Sequence, residues 1–416
     1  MQKHLLIFIF IITICIIFSG IYTDKRRNER PSYAFWVGSG SKIRIKPKYG
    51  RQIMPDKELT KTSGNKLLFF SNSPETLIDE ELPCLIYKAK SNSKFRLLLH
   101  HRNGLGYNAF INVKFKNVTD KNINLSILKS SNCKISNSGK IAYSEETIST
   151  DPALAGRNAF IRWLKDDENK SEYYTISPDK SLILTFPFKN WATISSMSDC
   201  LVLDEQGKES SLNLSIFVSK GKNEDISDDM LPVKDPVVEE NPNSSRIRGI
   251  FDYTELEANF TYRLSEIAYS EMGSASDGVY SYPNPGEYKM SLKAQDMYIQ
   301  KDTGNFGICY RINMHIINDL NSEGNAFILA SAPGGRSLIV LKNLSNIDNK
   351  SKDDIFFSDQ ILDSTNGIHD AWVFDRIKID KGKAVDKTYF YTLPCGCNGP
   401  VRFYVVSIAN LNSLIR

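Results

Sequence analysis

The sequence lacks the short motifs that mark the commonest enzyme active sites. It contains no GxSxG nucleophile elbow, no HExxH helix, no GxxxxGK[ST] phosphate-binding loop and no catalytic-cysteine context. These absences argue against an elbow-type serine hydrolase, a zinc protease and a P-loop nucleotide hydrolase. Glycoside hydrolysis stays open as an alternative, because it needs only two suitably placed carboxylates.

Histidine is scarce, with only five in the chain. His100 and His101 end an apolar run, and neighbouring side chains of a strand point to opposite faces. We therefore expect one to be buried and the other exposed, so that the two cannot chelate one metal ion from one face. Because only His315 and His369 follow them, neither a metal site nor a cofactor is expected.

Nothing in the composition indicates disorder or a repeat architecture. Hydrophobic residues make up 41% of the chain and charged residues 24%, which is ordinary for a globular protein. No repeat of fixed period is visible. The 416 residues are enough for two or three domains that each bury a core.

An export segment opens the chain. Residues 1–4 are a short basic leader, and residues 5–18 are an unbroken apolar run of 14, which is typical of a secretory signal. A retained anchor is the alternative, because Ile17 stands where a cleavage site needs a small residue. Residues 1–22 are therefore predicted to be a signal peptide or membrane anchor. Either one gives an extracytoplasmic protein, secreted or tethered to the membrane.

Positive charge is concentrated just after this segment. Residues 24–61 carry eleven basic and four acidic side chains, a net charge of +7 in a chain whose total is +4. We predict a basic tether over residues 23–65, either simply solvated or drawn to an anionic wall polymer or a membrane surface. No nucleic-acid partner is expected, because no binding motif accompanies the charge.

Alternating apolar residues predict a mainly β fold. Ile111, Val113 and Phe115 alternate with polar residues, which gives one buried and one wet face. Residues 151–164 change to a helical period, with Asp151 as N-cap and Pro152 at the first position. We predict two antiparallel β-sandwich-like domains with one helix in the first. The first domain covers residues 66–220.

The second domain is predicted to follow an acidic, proline-containing linker. Residues 221–245 contain three prolines and no sustained apolar period. Residues 246–416 then return to strand patterns, clearest over 308–316. The linker thus separates two strand-rich halves.

Several short stretches carry a resemblance: SPE at 73–75, FRLLLHHRNG at 95–104, the helix at 156–164, RGIFD at 248–252, GNFGICYRI at 304–312 and PGG at 333–335. Together they resemble exported two-domain β-rich proteins of Gram-positive spore-forming bacteria. That group is sometimes joined to a stalk module like the N-terminal domain of copper amine oxidases, which this chain lacks. The resemblance implies an envelope location and two β domains, and it carries over no catalytic residue.

Cys395 and Cys397 form the most unusual motif. Two thiolates one residue apart could hold a soft metal or exchange disulfides, but the spacing is not that of a zinc ribbon. A disulfide at the hairpin tip, or one to Cys309 or another strand, is the preferred interpretation of this possible disulfide or thiol loop. Six cysteines follow the leader, and they are expected to be scattered core thiols rather than a disulfide framework.

Aromatic residues in predicted loops are candidates for stacking on sugars. They are Trp191, Tyr280, Tyr282 and Trp372. Acids such as Asp359 and Asp363 could supply a glycosidase pair, but nothing in their spacing sets a distance. We predict a non-catalytic, exported cell-envelope or extracellular binding or structural protein that contacts wall polymers or glycans. A polysaccharide hydrolase and a metal or redox protein at Cys395 are the alternatives, and the oligomeric state stays open.

Overall fold

The structure is a computed structural model that describes most of the chain after residue 38. It covers residues 39–46, 50–131, 133–135, 141–143, 148–165, 171–222, 224–240, 246–273, 284–287, 293–294, 302, 304–345 and 354–415. The predicted leader, residues 1–22, lies outside these ranges. Within them, no helix has both the length and the apolar character needed to cross a bilayer.

The protein is mainly β, as the alternation predicts. The strands are β1 (Lys42–Ile45), β2 (Arg51–Gln52), β3 (Thr60–Lys61), β4 (Leu67–Ser71), β5 (Thr76–Leu77), β6 (Cys84–Lys90), β7 (Lys94–Asn103), β8 (Ala109–Lys116), β9 (Ile123–Ser130), β10 (Cys133–Ile135), β11 (Ile141–Tyr143), β12 (Ile148–Ser149), β13 (Glu172–Ile176), β14 (Ser181–Phe188), β15 (Thr193–Asp204), β16 (Asn213–Ser219), β17 (Arg248–Phe251), β18 (Glu255–Arg263), β19 (Ala268–Met272), β20 (Lys293–Ala294), β21 (Cys309–Ile317), β22 (Gly324–Ser331), β23 (Val340–Asn343), β24 (Ile355–Phe357), β25 (Ser364–Thr365), β26 (Ile368–Ile379), β27 (Ala384–Tyr391) and β28 (Val401–Ser407). The helices in the same ranges are α1 (Pro152–Lys165), α2 (Pro236–Glu240) and α3 (Ile408–Ile415).

The first sandwich packs a four-stranded sheet on a nine-stranded one. The small sheet has the order β14-β8-β16-β6, and the large one runs β13-β9-β15-β7-β4-β17-β20, with β5 and β12 paired to its strands. Alternate residues such as Ile111, Val113 and Phe115 point inward and are buried between the two sheets. Most pairs are antiparallel, whereas β4 and β5 pair with β7 in parallel.

The second sandwich packs a seven-stranded sheet on a six-stranded one. Their orders are β1-β26-β22-β28-β19-β2, with β25 beside β26, and β24-β23-β27-β21-β18-β3. Its core includes Phe260, Tyr310, Ile328 and Phe403. The same core also takes in Leu98 from the nine-stranded sheet, so apolar packing is continuous between the two sandwiches.

The nine-stranded sheet is therefore covered on both faces. His100 is 1% exposed and His101 is 0% exposed, so the expectation that one of them faces water is wrong. Strand β7 is buried on both faces and has no face in contact with water. Its continuous apolar run is typical of such a strand. His101 lies between Ser71 and Pro74, with 2.9 Å from its Nε2 to Ser71 Oγ and 2.9 Å from its Nδ1 to the Pro74 carbonyl.

Helix α1 forms where its cap and period predict it. Asp151 Oδ1 accepts a hydrogen bond from the Ala153 amide at 3.0 Å, which satisfies one of the free donors at the helix start. Phe160 and Trp163 are buried in the core that the second sandwich shares. The helix therefore packs between the two sandwiches and not only against the first.

The chain divides differently from the predicted boundaries. Strands β1, β2 and β3 lie in the predicted basic tether, yet they pair with β26, β19 and β18 of the second sandwich. Ile43 and Ile45 alternate with exposed Lys42 and Arg44, so apolar burial holds this basic segment in the sheet. Conversely, β17 and β20 lie in the predicted second domain, yet they extend the nine-stranded sheet of the first sandwich. Residues 38–416 form one compact unit.

The predicted linker is also packed. Residues 224–233, here called the strap, lie along the outer face of the four-stranded sheet. Ile226 is 7% exposed and clusters with Leu85 and Phe217, while the Val233 amide donates to the Leu85 carbonyl at 2.8 Å. One apolar anchor and paired charges hold this segment, and neither produces a periodic pattern in the sequence.

Candidate functional site

The strongest candidate site lies at the loops that close one end of the first sandwich. The end of β5, the β7–β8 turn and the β14–β15 turn meet there. They present Ile78, Tyr107 and Trp191, which are 57%, 40% and 51% exposed. We call these three residues and Arg102 the loop-end patch. Large apolar side chains exposed together on a soluble protein are typical of an interaction site.

Asn103 holds the loops of the patch together. Its side-chain amide donates to the Tyr107 carbonyl at 2.9 Å and to the Phe188 carbonyl at 2.6 Å, and its oxygen accepts from the Leu105 amide at 2.9 Å. The main-chain amide of Trp191 donates to the main-chain carbonyl of Asn103 at 2.7 Å. Asn103 is fully buried, so this network fixes the aromatic loops to a rigid strand end.

A close approach of two strands explains the glycine in this turn. A Cβ added to Gly104 would lie 2.8 Å from the Leu77 carbonyl oxygen and 3.2 Å from the Ile78 side chain. The Gly104 amide donates to that same carbonyl at 2.8 Å. Glycine is therefore required for β5 to bring Ile78 beside the β7–β8 turn.

Trp191 is held in a conformation that a bulky residue seldom adopts. Its φ is +58°, in the left-handed region that favours glycine, and such strain is of the order of 1 kcal/mol or more. The Arg102 guanidinium carbon lies 5.5 Å from the centre of its ring, within cation–π range. One side of the indole is thus supported by the protein while half of the residue stays exposed.

Two polar atoms near the ring are buried and lack a hydrogen-bond partner within the described ranges, namely Arg102 Nε and Asn190 Oδ1. The main-chain amide of Asn190 donates to Asn108 Oδ1 at 2.9 Å. The buried Arg102 Nε and Asn190 Oδ1 cannot reach a ligand, so the feature of the patch that can bind is the exposed indole ring, which can stack on the apolar face of a sugar ring.

The other predicted stacking residues are not part of this patch. Trp372 is 5% exposed and lies in the core of the second sandwich, so it offers no open ring face. Its strand, β26, is central between β1 and β22, which explains the burial. Tyr280 and Tyr282 lie outside the described residues.

Cys395 and Cys397 are free and buried, so the disulfide preferred from the sequence is wrong. The Leu338 amide donates to Cys397 Sγ at 3.3 Å, and burial raises the pKa of Cys397 to about 11 and that of Cys395 well above its ordinary value. Thiols that stay protonated are poor nucleophiles and poor metal ligands. Cys84, Cys200 and Cys309 are also buried free thiols, which confirms the expectation of scattered core cysteines.

The acids considered for glycoside hydrolysis are exposed. Asp359 and Asp363 lie on the surface, at neighbouring clefts beside β1 that share Lys42. The acids with strongly perturbed pKa values are elsewhere, because burial raises the pKa of Glu287 to about 7 and that of Asp302 to about 8. These two are 0% and 2% exposed, so a polymer cannot reach them. No sequence signal marked either one.

Comparisons with known proteins add little to this geometry. No protein-family model matches the chain, and no curated protein matches it significantly. Among solved structures, the chain is similar over 89% of its length to 91% of the N-terminal CBM22-1-CBM22-2 tandem domain from Paenibacillus barcinonensis Xyn10C, at 8% identity and a TM-score of 0.14. It also matches a broad bean stain virus chain over 92% of its own length and 91% of that chain, at 9% identity and a TM-score of 0.13. At such TM-scores these likenesses carry no argument.

Proposed function

We propose that the protein is a non-catalytic, exported binding protein that holds a glycan at the loop-end patch. The observation that carries the proposal is Trp191, which combines an exposed ring, a left-handed backbone and a cation on one face. A bulky residue is kept in a strained conformation only where the surrounding structure compensates for it, and such positions cluster at functional sites.

The patch fits a neutral saccharide better than a peptide. Exposed indole and phenol rings can cover the apolar face of a sugar ring. Rigid loops on a β scaffold also bind without a large ordering cost. The absence of the common catalytic motifs from the sequence supports a binding role over an enzymatic one.

Export is the second part of the proposal. It rests on the basic leader and the apolar run of residues 5–18. The protein would then meet its glycan outside the cytoplasm, at the cell envelope or beyond it.

The test is titration of the full-length protein with soluble cello-, xylo- and chito-oligosaccharides, followed by tryptophan fluorescence and calorimetry. Of the four tryptophans, Trp163 and Trp372 are 2% and 5% exposed and Trp36 lies outside the described residues. The fluorescence change that belongs to the patch is therefore the part that Trp191→Ala removes. Trp191→Ala should weaken binding about ten- to thirtyfold, as for an aromatic hot spot, and Trp191→Tyr should retain part of the affinity.

Tyr173 provides the matched control, because it is aromatic, 73% exposed and located on β13 away from the patch. Tyr173→Ala should leave binding unchanged. Equal loss in the Tyr173 and Trp191 variants, or no binding to any of the three oligosaccharide series, would refute the assignment. Shortened oligosaccharides after incubation would instead identify a hydrolase.

A further inference from the structure

The outer face of the four-stranded sheet carries four lysines in a regular array. In the register of β8, β16 and β6, Lys116 is opposite Asn213, which is opposite Lys90. One step along the strands, Lys114 is opposite Ser215, which is opposite Lys88. Each row therefore places one lysine on each side of a small polar residue.

Strand geometry sets the spacing of this lysine lattice. Neighbouring strands are about 4.8 Å apart, so the two lysines of a row are separated by about 10 Å, and successive residues on one face are about 7 Å apart. The intervening residues Leu214, Ala89 and Phe115 pack into the sandwich core. All four lysines thus project from the same face of a rigid sheet.

The strap places its own acids on part of this lattice. Lys114 Nζ lies 2.7 Å from Asp225 Oδ1 and 3.3 Å from Asp228 Oδ1. The other oxygen of Asp228 accepts a hydrogen bond from Lys116. Lys88 Nζ donates to the Met230 carbonyl at 2.9 Å. Asp225 and Asp228 nevertheless remain about half exposed, at 52% and 53% of their side chains.

The other part of the lattice is open. A groove of about 420 Å³ runs beside the strap and is lined by Lys88, Lys90, Lys116, Asn213 and Ser215, among others. Lys90 is exposed, and within the described ranges no acid lies within ion-pair distance of its amino group. The groove therefore continues the lysine array beyond the two acids of the strap.

The bridging carboxylate of Asp228 indicates which anion the lattice suits. It uses two oxygens to contact two lysines of one strand. A phosphodiester also presents two charged oxygens from one centre, and lysine is a common phosphate ligand. The outward residues of both rows are lysine, asparagine and serine, without the aromatic surfaces on which nucleic-acid bases stack.

We propose that the lysine lattice is a binding site for a linear, non-nucleic-acid polymer of phosphodiester units, and that the strap occupies half of it as an intramolecular competitor. This site is separate from the loop-end patch and does not depend on the glycan proposal. The polymer would run along the groove past Lys90 and Lys88, and would displace Asp228 from Lys116 when it binds fully.

The test measures binding of full-length protein to poly(glycerol phosphate), with polyglutamate and oligothymidylate of equal charge as comparison polymers. Asp225→Asn/Asp228→Asn should raise the affinity for poly(glycerol phosphate) about tenfold, because the competitor loses its charge. Lys90→Gln should lower that affinity and reduce the slope of log affinity against log salt by about one.

Lys208→Gln is the matched control, because Lys208 is an exposed lysine in the turn before β16 and outside the lattice. Equal effects of the Lys90 and Lys208 changes would overturn the site, and unchanged affinity in the double aspartate variant would overturn the competing strap. If that variant fails to fold, Asp225→Asn alone serves, since Lys114 keeps Asp228 as a partner. Equal or tighter binding of polyglutamate or oligothymidylate would overturn the assigned polymer class.

Discussion

Asp302 is a buried carboxyl group, and its replacement by asparagine should change how stability depends on pH. It is 2% exposed, and one carboxyl oxygen accepts from the Phe306 amide at 3.0 Å. Within the described ranges the other oxygen has no partner. Burial raises the pKa of this group from 3.8 to about 8, because the surroundings disfavour its charged form.

The sign and size of the effect follow from this difference in pKa. The folded protein holds the Asp302 proton more tightly than the unfolded chain, so the free energy of unfolding falls as pH rises from about 4 to about 8. Each unit corresponds to about 1.4 kcal/mol, so the loss between pH 5 and 7 is roughly 3 kcal/mol. Asp302→Asn has no proton to lose and should lack this component.

The assay is urea unfolding of the wild-type and Asp302→Asn proteins at pH 5, 6, 7 and 8. The variant should gain stability relative to the wild type at each step up to pH 8. Burial also raises the pKa of Glu287, to about 7. Glu287 contributes the same slope of unfolding free energy against pH in both proteins, so its contribution cancels when the two are compared. Asp359→Asn, at an exposed acid, is the control. Parallel wild-type and Asp302→Asn curves would refute the reasoning.

Two substitutions and one measurement of thiol reactivity test the core between the sandwiches. Arg96 is fully buried, and its guanidinium group lies 2.7 Å from Asp199. Its change to alanine should lower the free energy of unfolding by about 3 kcal/mol, because the buried Asp199 loses its closest partner and, among the described residues, keeps only Lys66, at 3.3 Å; urea unfolding measures this, and a loss under 1 kcal/mol would contradict it. Gly156→Ala would place a Cβ 2.0 Å from the Cys395 carbonyl oxygen. This overpacking should lower the free energy of unfolding by about 1–3 kcal/mol, which thermal unfolding would show as a lower midpoint temperature. Cys395 and Cys397 should react with a thiol reagent at pH 7.5 only when urea is added, because burial keeps both protonated; fast reaction of the native protein would contradict their placement.

Local patterns predicted the elements of this fold well. The alternation of Ile111, Val113 and Phe115 predicted a strand with one buried face, and Asp151 with Pro152 predicted the start of α1. These signals depend on near neighbours in the chain. In β8 the polar face is covered as well, since Asn112 is 0% and Lys114 is 4% exposed, so the alternation located the strand but not what packs on its second face.

Long-range pairing was beyond such patterns. His100 lies on a strand that is covered on both faces, and Trp372 lies on a central strand of the second sandwich. Alternation alone does not tell a central strand from an edge strand. The strap was equally hidden, because its order depends on lysines that lie more than a hundred residues away, as in the Lys114–Asp228 pair. The boundaries of the two halves differ from prediction for the same reason.

The candidate site was predicted only in part. Trp191 was chosen from the sequence as an aromatic residue in a loop, and it is exposed. Tyr107 and Ile78 join it through Asn103 and a parallel pairing of β5 with β7. A parallel neighbour leaves no hairpin signal, so that grouping required the structure.

The placement of β1 has a consequence for how the molecule is made. This strand is synthesised long before its partner β26, with Ile45 opposite His369. Pairings between such distant segments form slowly, and the waiting strand carries unpaired main-chain groups that can join another chain. Assembly of the second sandwich must therefore wait until β26 has been synthesised, and a chain interrupted before residue 368 should aggregate rather than fold into a shorter stable protein.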